Sequence, residues 1–289
     1  MNRIKESELI INPEGSIYHL NLKPEQIAKN IILVGDPGRV EKISNHFDKI
    51  VHRSQNREMV AHIGYLNQKH LMVLSTGMGT DNIDIVINEL DALVNIDFNT
   101  RTIKEKHTSL NIIRLGTSGA IQADIPINSY AASTYGIGLD GLLKFYDSAA
   151  VVDEELSAEF IRQVNWHPDL PYPYFVKGSE FLLNKISGGM ITGLTATAPG
   201  FYGPQGRVLR IPLQHPQLMD TMQKFRTGDQ RIINFEMETS ALYGLSKLLG
   251  HEALTVCAVI ANRALQTYSE NYHKPIEKLI ELVLERFTR

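Results

Sequence analysis

The chain holds a single cysteine, Cys257, among 289 residues. One thiol cannot close an intrachain disulfide. Its place in the apolar run Ala253-Leu254-Thr255-Val256-Cys257-Ala258-Val259-Ile260-Ala261 makes it a small core side chain. Runs of this length are far too short to cross a bilayer. The first residues, Met1-Asn2-Arg3-Ile4-Lys5-Glu6-Ser7-Glu8, carry charges where a secretory leader needs an apolar core. An excess of charge of one sign is also missing, because 29 Lys and Arg face 32 Asp and Glu. That balance provides no basic field for nucleic acid and no basic membrane anchor, so an anionic ligand must be held by a local cluster. The ten histidines show no HExxH or comparable spacing, and no metal is expected. Repeats and low-complexity tracts are absent as well. What remains is an ordinary globular composition with enough chain for a sizeable core, expected in the cytoplasm.

Short β-rich apolar runs alternate with helical stretches. Ile31-Ile32-Leu33-Val34 ends at Gly35-Asp36-Pro37-Gly38, Leu71 to Thr76 ends at Gly77, Leu110 to Leu115 ends at Gly116, and Thr255 to Ala261 ends at Asn262-Arg263. Apolar strands that close on glycine and lead into helical patterns indicate an α/β protein with a largely buried sheet. The periodicity predicts helices over 81–95, 152–165, 216–226, 237–249 and 274–288. No linker divides the chain, so one domain is expected over 1–289, with 1–17 as an N-terminal extension. In such folds ligands gather at the carboxyl ends of the strands.

Arginines recur at those ends. Gly35-Asp36-Pro37-Gly38-Arg39 reads equally as an anion-binding turn or a plain one, and it lacks the Lys-Ser/Thr of a P-loop. Arg114, inside an apolar strand, needs an anionic partner, either a core carboxylate or a bound anion. The Thr117 hydroxyl and the glycine-rich backbone of Gly116-Thr117-Ser118-Gly119 favour the anion. Arg57 alone reads as a solvated charge beside Glu58. Together these groups suit a tetrahedral oxyanion. Free inorganic phosphate fits better than a nucleoside triphosphate, because no nucleotide-type lysine or metal-carboxylate cluster accompanies them.

Two further segments carry polar chemistry. In Asn234-Phe235-Glu236-Met237-Glu238-Thr239, Glu238 reads either as a helix N-terminal charge or as the acceptor of ribose hydroxyls over an apolar Met237. A glycosidase pair is disfavoured, because acids two residues apart cannot flank a bond from opposite sides. His19 is a lone histidine in an extended segment. The loop Phe201-Tyr202-Gly203-Pro204-Gln205-Gly206-Arg207 presents a carboxamide and a guanidinium two residues apart, with Phe201 available to cover a ring. Such a pair can read a flat heterocycle whose carbonyls flank an N–H, and uracil has that edge.

These segments, in this order, resemble the nucleoside phosphorylase-I family, and within it the uridine-cleaving branch. The signatures are Gly35-Asp36-Pro37-Gly38-Arg39-Val40, Ser75-Thr76-Gly77-Met78-Gly79, Arg114-Leu115-Gly116-Thr117-Ser118-Gly119, Phe201 to Arg207 and Asn234 to Thr239, and the similarity runs from about Tyr18 to the C-terminal helix. The resemblance implies a single α/β domain around a mixed, partly barrel-like sheet flanked by helices. It implies phosphorolysis of uridine, with deoxyuridine and thymidine as related substrates, in pyrimidine salvage. It implies no cofactor, inorganic phosphate being a co-substrate. Gly35, Arg39, Arg114, Gly116 and Thr117 match phosphate ligands, and Arg57 matches one donated by a neighbouring subunit. Met237 and Glu238 match ribose contacts, and His19 matches a histidine reaching the ribose 5′-hydroxyl from that neighbour. Phe201, Gln205 and Arg207 match the uracil pocket, lined by Ile260 and Ala261 with Arg263 behind. Active sites shared across a dimer, and hexamers of such dimers, are implied in turn. Glu58 matches a position linked to a monovalent cation between subunits, although Asn82 stands where those relatives carry serine. The 95–108 stretch is longer than in many bacterial relatives, and Gly203-Pro204 reverses their more frequent Pro-Gly. Purine nucleoside phosphorylase, nucleosidase and non-catalytic nucleoside binding remain as alternatives. The stretch Val259 to Arg263 lacks the aspartate that would assist a purine, and the arginine cluster argues against water as the nucleophile.

Overall fold

Alternation within the first strand sets the architecture. In β1 (Asn30–Val34) Ile31 and Leu33 join one apolar cluster, while Ile32 and Val34 join another on the opposite face. A strand exposes successive side chains to opposite faces, so a doubly apolar strand requires cover on both. The computed structural model describes residues 3–289, so the first two residues of the expected N-terminal extension lie outside the described residues. After β1 come α1 (Pro37–Ser44), β2 (Lys49–Asn56), β3 (Met59–Leu66), β4 (Lys69–Ser75) and α2 (Thr80–Asn95). A small hairpin of β5 (Ile96–Asp97) and β6 (Thr102–Ile103) leads to β7 (Asn111–Ala120) and β8 (Tyr130–Gly138). Next are α3 (Glu154–Val164), β9 (Tyr174–Lys177), α4 (Glu180–Ile186), β10 (Ile191–Thr197) and α5 (Leu218–Lys224). The chain ends with β11 (Arg226–Thr227), β12 (Gln230–Glu236), α6 (Thr239–Leu248), β13 (Glu252–Asn262), β14 (Thr267–Tyr268) and α7 (His273–Thr288).

The main sheet runs β11-β12-β10-β8-β13-β7-β1-β4-β3-β2 and mixes parallel with antiparallel pairs. β12 also pairs antiparallel with β7, Asn234 opposite Ala120 and Phe235 opposite Gly119. Strands β7, β13, β8, β10 and β12 therefore close on themselves, giving the expected partly barrel-like sheet. Helices α2 and α6 cover one face, and α1, α4 and α7 cover the other. Among the described residues no helix is long and apolar enough to cross a membrane.

The expected helices form within one or two residues of their expected ends. α1 and α4 are additional. The Asp36-Pro37-Gly38 segment, expected to be a turn, is instead a capped helix start. The Asp36 side chain accepts the Gly38 N–H (2.9 Å) and Pro37 occupies the first turn, where its missing N–H costs nothing. A second correction concerns β7, which was expected to stop at Gly116 but continues to Ala120. β13 pairs with it along that whole length and β12 joins at its end, so hydrogen bonds override the glycine signal. The 95–108 stretch forms the β5–β6 hairpin. Its buried Arg101 donates to the carbonyls of Ile4 (3.1 Å), Lys5 (3.2 Å) and Leu9, strapping the N-terminal segment to the body.

Candidate active site

A cavity of about 720 Å³ opens at the carboxyl ends of β1, β4, β7, β12 and β13. That volume lies within the roughly 300–1,000 Å³ of small-molecule sites. Gly35, Arg39, Arg114, Gly116 and Thr117 line it together with Met237 and Glu238. So do Phe201, Gln205, Arg207, Ile260, Ala261 and Arg263. His19 and Arg57 do not. Arg57 is exposed on the turn between β2 and β3, in a left-handed conformation (φ 52°).

β7 forms the floor, and its glycines mark two arginine clusters. A Cβ at Gly116 would collide with Arg114 Nη1, so the guanidinium folds back over that residue. A Cβ at Gly119 would lie 3.5 Å from Arg263 Cγ and 3.9 Å from Arg207 Nη2. Three residues of strand separate the clusters by about 10 Å.

At the first cluster Arg39 donates to the Leu115 carbonyl (3.0 Å), and burial followed by the Arg114 charge lowers its pKa. Arg114 meets Glu236 (3.4 Å) and Glu238. Burial alone would lower its pKa, but the two carboxylates outweigh that and raise it. Of the two kinds of partner open to Arg114, core carboxylates are thus in place, and the protein balances the guanidinium internally. Arg114 Nε is buried without a partner among the described residues, which leaves one donor unspent.

The two acids divide the work of helix capping. Glu236 accepts from Thr197 Oγ1 (2.8 Å), Glu238 N (2.9 Å) and Thr239 N (3.0 Å), so it caps α6. Glu238, expected at the start of that same helix, sends its carboxylate to Gly79 N (2.9 Å), the N-cap of α2. Gly79 has φ 96°, a conformation open to glycine but strained for other residues. Burial holds the Glu238 carboxyl above the usual range despite Arg114, and Glu236 adds to the rise.

At the second cluster Arg207 Nη1 donates to Gln205 Oε1 (2.6 Å) and to the Phe201 carbonyl (2.7 Å). Arg263 Nη1 holds the Gln205 backbone carbonyl (2.9 Å). Gln205 is 3% exposed, and with its oxygen engaged it has its Nε2 donors left for a ligand. Phe201 was expected to cover the ligand ring. Its ring lies against the Arg207 guanidinium, 3.8 Å from ring centroid to Cζ. Burial, with Arg263 nearby, lowers the Arg207 pKa to about 10.

Sequence reasoning passed over Glu236, although it lies inside a quoted motif, and Met78, which lies in the Ser75–Gly79 signature. Tyr268 also lines the cavity. It comes from β14, and nothing in the local pattern marks it. Asn82, beside the expected cation position, donates to the Met78 carbonyl (3.3 Å). Among the described residues no three His, Cys, Asp or Glu side chains gather as a metal site.

The family model described as the phosphorylase superfamily matches residues 29–289. The chain belongs to the phosphorylase superfamily. The match takes in every residue assigned above except His19. A uridine phosphorylase of Thermococcus kodakarensis is 31% identical over 89% of this chain and 81% of its own length. A uridine phosphorylase of Haemophilus influenzae is 28% identical, over 87% and 88% respectively. A DeoD-type purine nucleoside phosphorylase of Bacillus cereus is 26% identical, over 92% and 97%. Among solved structures, a Trypanosoma brucei nucleoside phosphorylase described as showing uridine phosphorylase activity superposes with a TM-score of 0.85 at 28% identity. That superposition covers 96% of this chain and 99% of the other, so the phosphorylase superfamily fold extends over nearly all of both.

Proposed function

We propose that the protein is a uridine phosphorylase of cytoplasmic pyrimidine salvage, converting uridine and inorganic phosphate reversibly into uracil and ribose 1-phosphate. The observation that carries this reading is the pair of arginine clusters about 10 Å apart along β7, with a buried carboxylate at the first. One cluster suits phosphate, Glu238 suits the ribose hydroxyls, and the Gln205–Arg207 donors suit the carbonyls of a pyrimidine.

Phosphate binds among Gly35, Arg39, Arg114, Gly116 and Thr117, beneath C1′. Glu238 accepts the ribose hydroxyls and Met237 packs under the sugar. The bond from C1′ to N1 lengthens first, and the phosphate dianion stabilises the cationic sugar. A phosphate oxygen then bonds to C1′ while the base leaves with the electron pair. Arg207 and the Gln205 amide stabilise the charge that spreads onto the uracil oxygens, and the released base takes its proton from solvent. Catalysis on this reading is positioning plus preorganised electrostatics, and needs no metal or organic cofactor.

The test is release of base from uridine, thymidine, inosine and adenosine, with and without phosphate. Uracil release that depends on phosphate is expected. Cleavage without phosphate would indicate a nucleosidase, and preference for inosine would move the assignment to a purine enzyme.

Gly116→Ala is expected to raise KM for phosphate by about 10-fold or more through displacement of Arg114, the equivalent of one charge-assisted hydrogen bond. Steady-state kinetics at saturating uridine check this, and an unchanged phosphate KM would remove Arg114 from the phosphate site.

Arg57 and His19 lie outside the chain's own cavity, which supports the reading that each serves the site of a second copy, in a dimer or a hexamer of dimers. Arg57→Ala mixed with Arg207→Ala is then expected to recover about a quarter of wild-type turnover. Half of randomly formed dimers are hybrids, and each hybrid has one intact site. Hybrids that form without recovering activity count against sharing.

A further inference from the structure

We infer that Glu89 is a positioning residue that holds the proton of His19 on Nδ1 and so makes His19 Nε2 a hydrogen-bond acceptor for the ribose 5′-hydroxyl. The inference rests on the proposed reading of His19 and goes beyond it by naming what orients the ring and which hydrogen-bonding role the ring takes.

Glu89 sits midway along α2 and spends its whole carboxylate on the His19 segment. Oε1 meets His19 Nδ1 at 2.6 Å, both oxygens take the His19 N–H at 3.1 Å, and Oε2 takes the Leu20 N–H at 2.9 Å. The two side chains are 27% and 13% exposed, so the pair is largely shielded from water. An ionised carboxylate only accepts, so the ring proton must sit on Nδ1. The neutral ring then has its lone pair on Nε2. A hydroxyl can donate to that nitrogen.

The rest of the segment is held equally firmly. Asn56 Nδ2 donates to the Tyr18 carbonyl (3.1 Å) and the His19 carbonyl (3.0 Å), and the Tyr18 ring meets the imidazole edge-on, 4.7 Å between centroids. Asn56 immediately precedes Arg57, so one side chain ties together the two residues proposed to serve a second copy. α2 is also the helix whose N-cap donates to Glu238. The ribose carboxylate of one site and the His19 bracket are thereby joined by a single rigid element.

Glutamine at 89 cannot reproduce this arrangement. Its amide either donates to Nδ1, which moves the ring proton to Nε2, or turns its NH₂ toward the Leu20 N–H and loses that bond. Aspartate keeps the charge on a shorter stem.

The test compares kcat/KM for uridine and 5′-deoxyuridine in the full-length wild type and in Glu89→Gln, Glu89→Asp and His19→Ala. Long-range ¹⁵N–¹H spectra of the His19 ring, at a pH where the ring is neutral, give a readout independent of turnover. Wild type is expected to prefer uridine by about 10-fold or more, the worth of one hydrogen bond, and to show the Nδ1–H tautomer. Glu89→Gln is expected to lose about 10-fold on uridine, chiefly in KM, and to stay within about two-fold on 5′-deoxyuridine. Glu89→Asp is expected to restore most of the preference. Equal loss on both substrates would reduce Glu89 to a structural role and overturn the proposal, as would an Nε2–H tautomer in the wild type. A preference that survives His19→Ala overturns it by removing its premise while leaving uridine phosphorolysis intact. Failure of the wild type to release uracil instead overturns the function reading itself.

Discussion

Arg207→Ala is expected to lower kcat/KM for uridine by about 10²–10³-fold, the loss typical of removing one preorganised donor from a developing anion. The structure makes this more than the loss of a single group. Arg207 holds the Gln205 side-chain oxygen and the Phe201 carbonyl, and its plane lies against the Phe201 ring. Without the guanidinium the Gln205 amide is free to rotate, so the second donor loses its orientation with the first. Arg263 braces only the Gln205 backbone and cannot compensate. The loss should therefore fall mainly on kcat, because charge on the base develops only as the bond breaks. Phosphate binding, followed by thermal shift, should change little, since Arg207 lies over Gly119 of β7 while Arg114 folds over Gly116, three residues back along the strand. Arg207→Lys should recover little, because an ammonium cannot stack on Phe201 and reach two acceptors in one plane. Turnover that survives Arg207→Ala would remove this loop from the base site.

The parts of this molecule that are local in sequence were legible in it. Continuous apolar runs closing on glycine announced β1 and β4, and the 3.6-residue period announced α2 and α7. Gln205 and Arg207 were legible because one tight turn puts them side by side. What long-range contacts decide was not. Arg114 and Glu238 are 124 residues apart, and no local pattern says that the arginine finds its counter-charge there. Glu89 and His19 are 70 apart, and no local pattern pairs the lone histidine with that acid. The glycines of β7 argued for a turn, but β13 and β12 supply the strand partners that hold them extended. Tyr268 reaches the cavity only because the two-residue strand β14 pairs with the end of β13.

Arg114→Met tests the first of those contacts and separates stability from catalysis. The side chain is close in volume, so the change removes charge with little cavity. Two carboxylates, Glu236 and Glu238, then remain buried without their cation, which typically costs about 3–5 kcal/mol at neutral pH. For a chain of this size that is a fall in Tm of about 10 °C. The sign of its pH dependence follows from the same groups. Burial raises the Glu238 carboxyl, Arg114 opposes the rise, and Glu236 adds to it, so losing Arg114 raises it further. A carboxyl raised in the folded state binds its proton more tightly there than in the unfolded chain. Stability must then fall as pH climbs from the ordinary carboxylate range through the raised folded value. The Tm deficit relative to wild type should be full above that value and shrink as the pH drops toward the ordinary range. Adding Glu238→Gln removes one of the two uncompensated charges while an amide oxygen still accepts from Gly79 N. The double variant should regain part of the lost Tm at neutral pH and remain inactive toward uridine, because the groups proposed to hold phosphate and ribose are both gone. A variant as stable as wild type at neutral pH, or a double variant less stable than Arg114→Met, would show that Arg114 does not neutralise the buried acids.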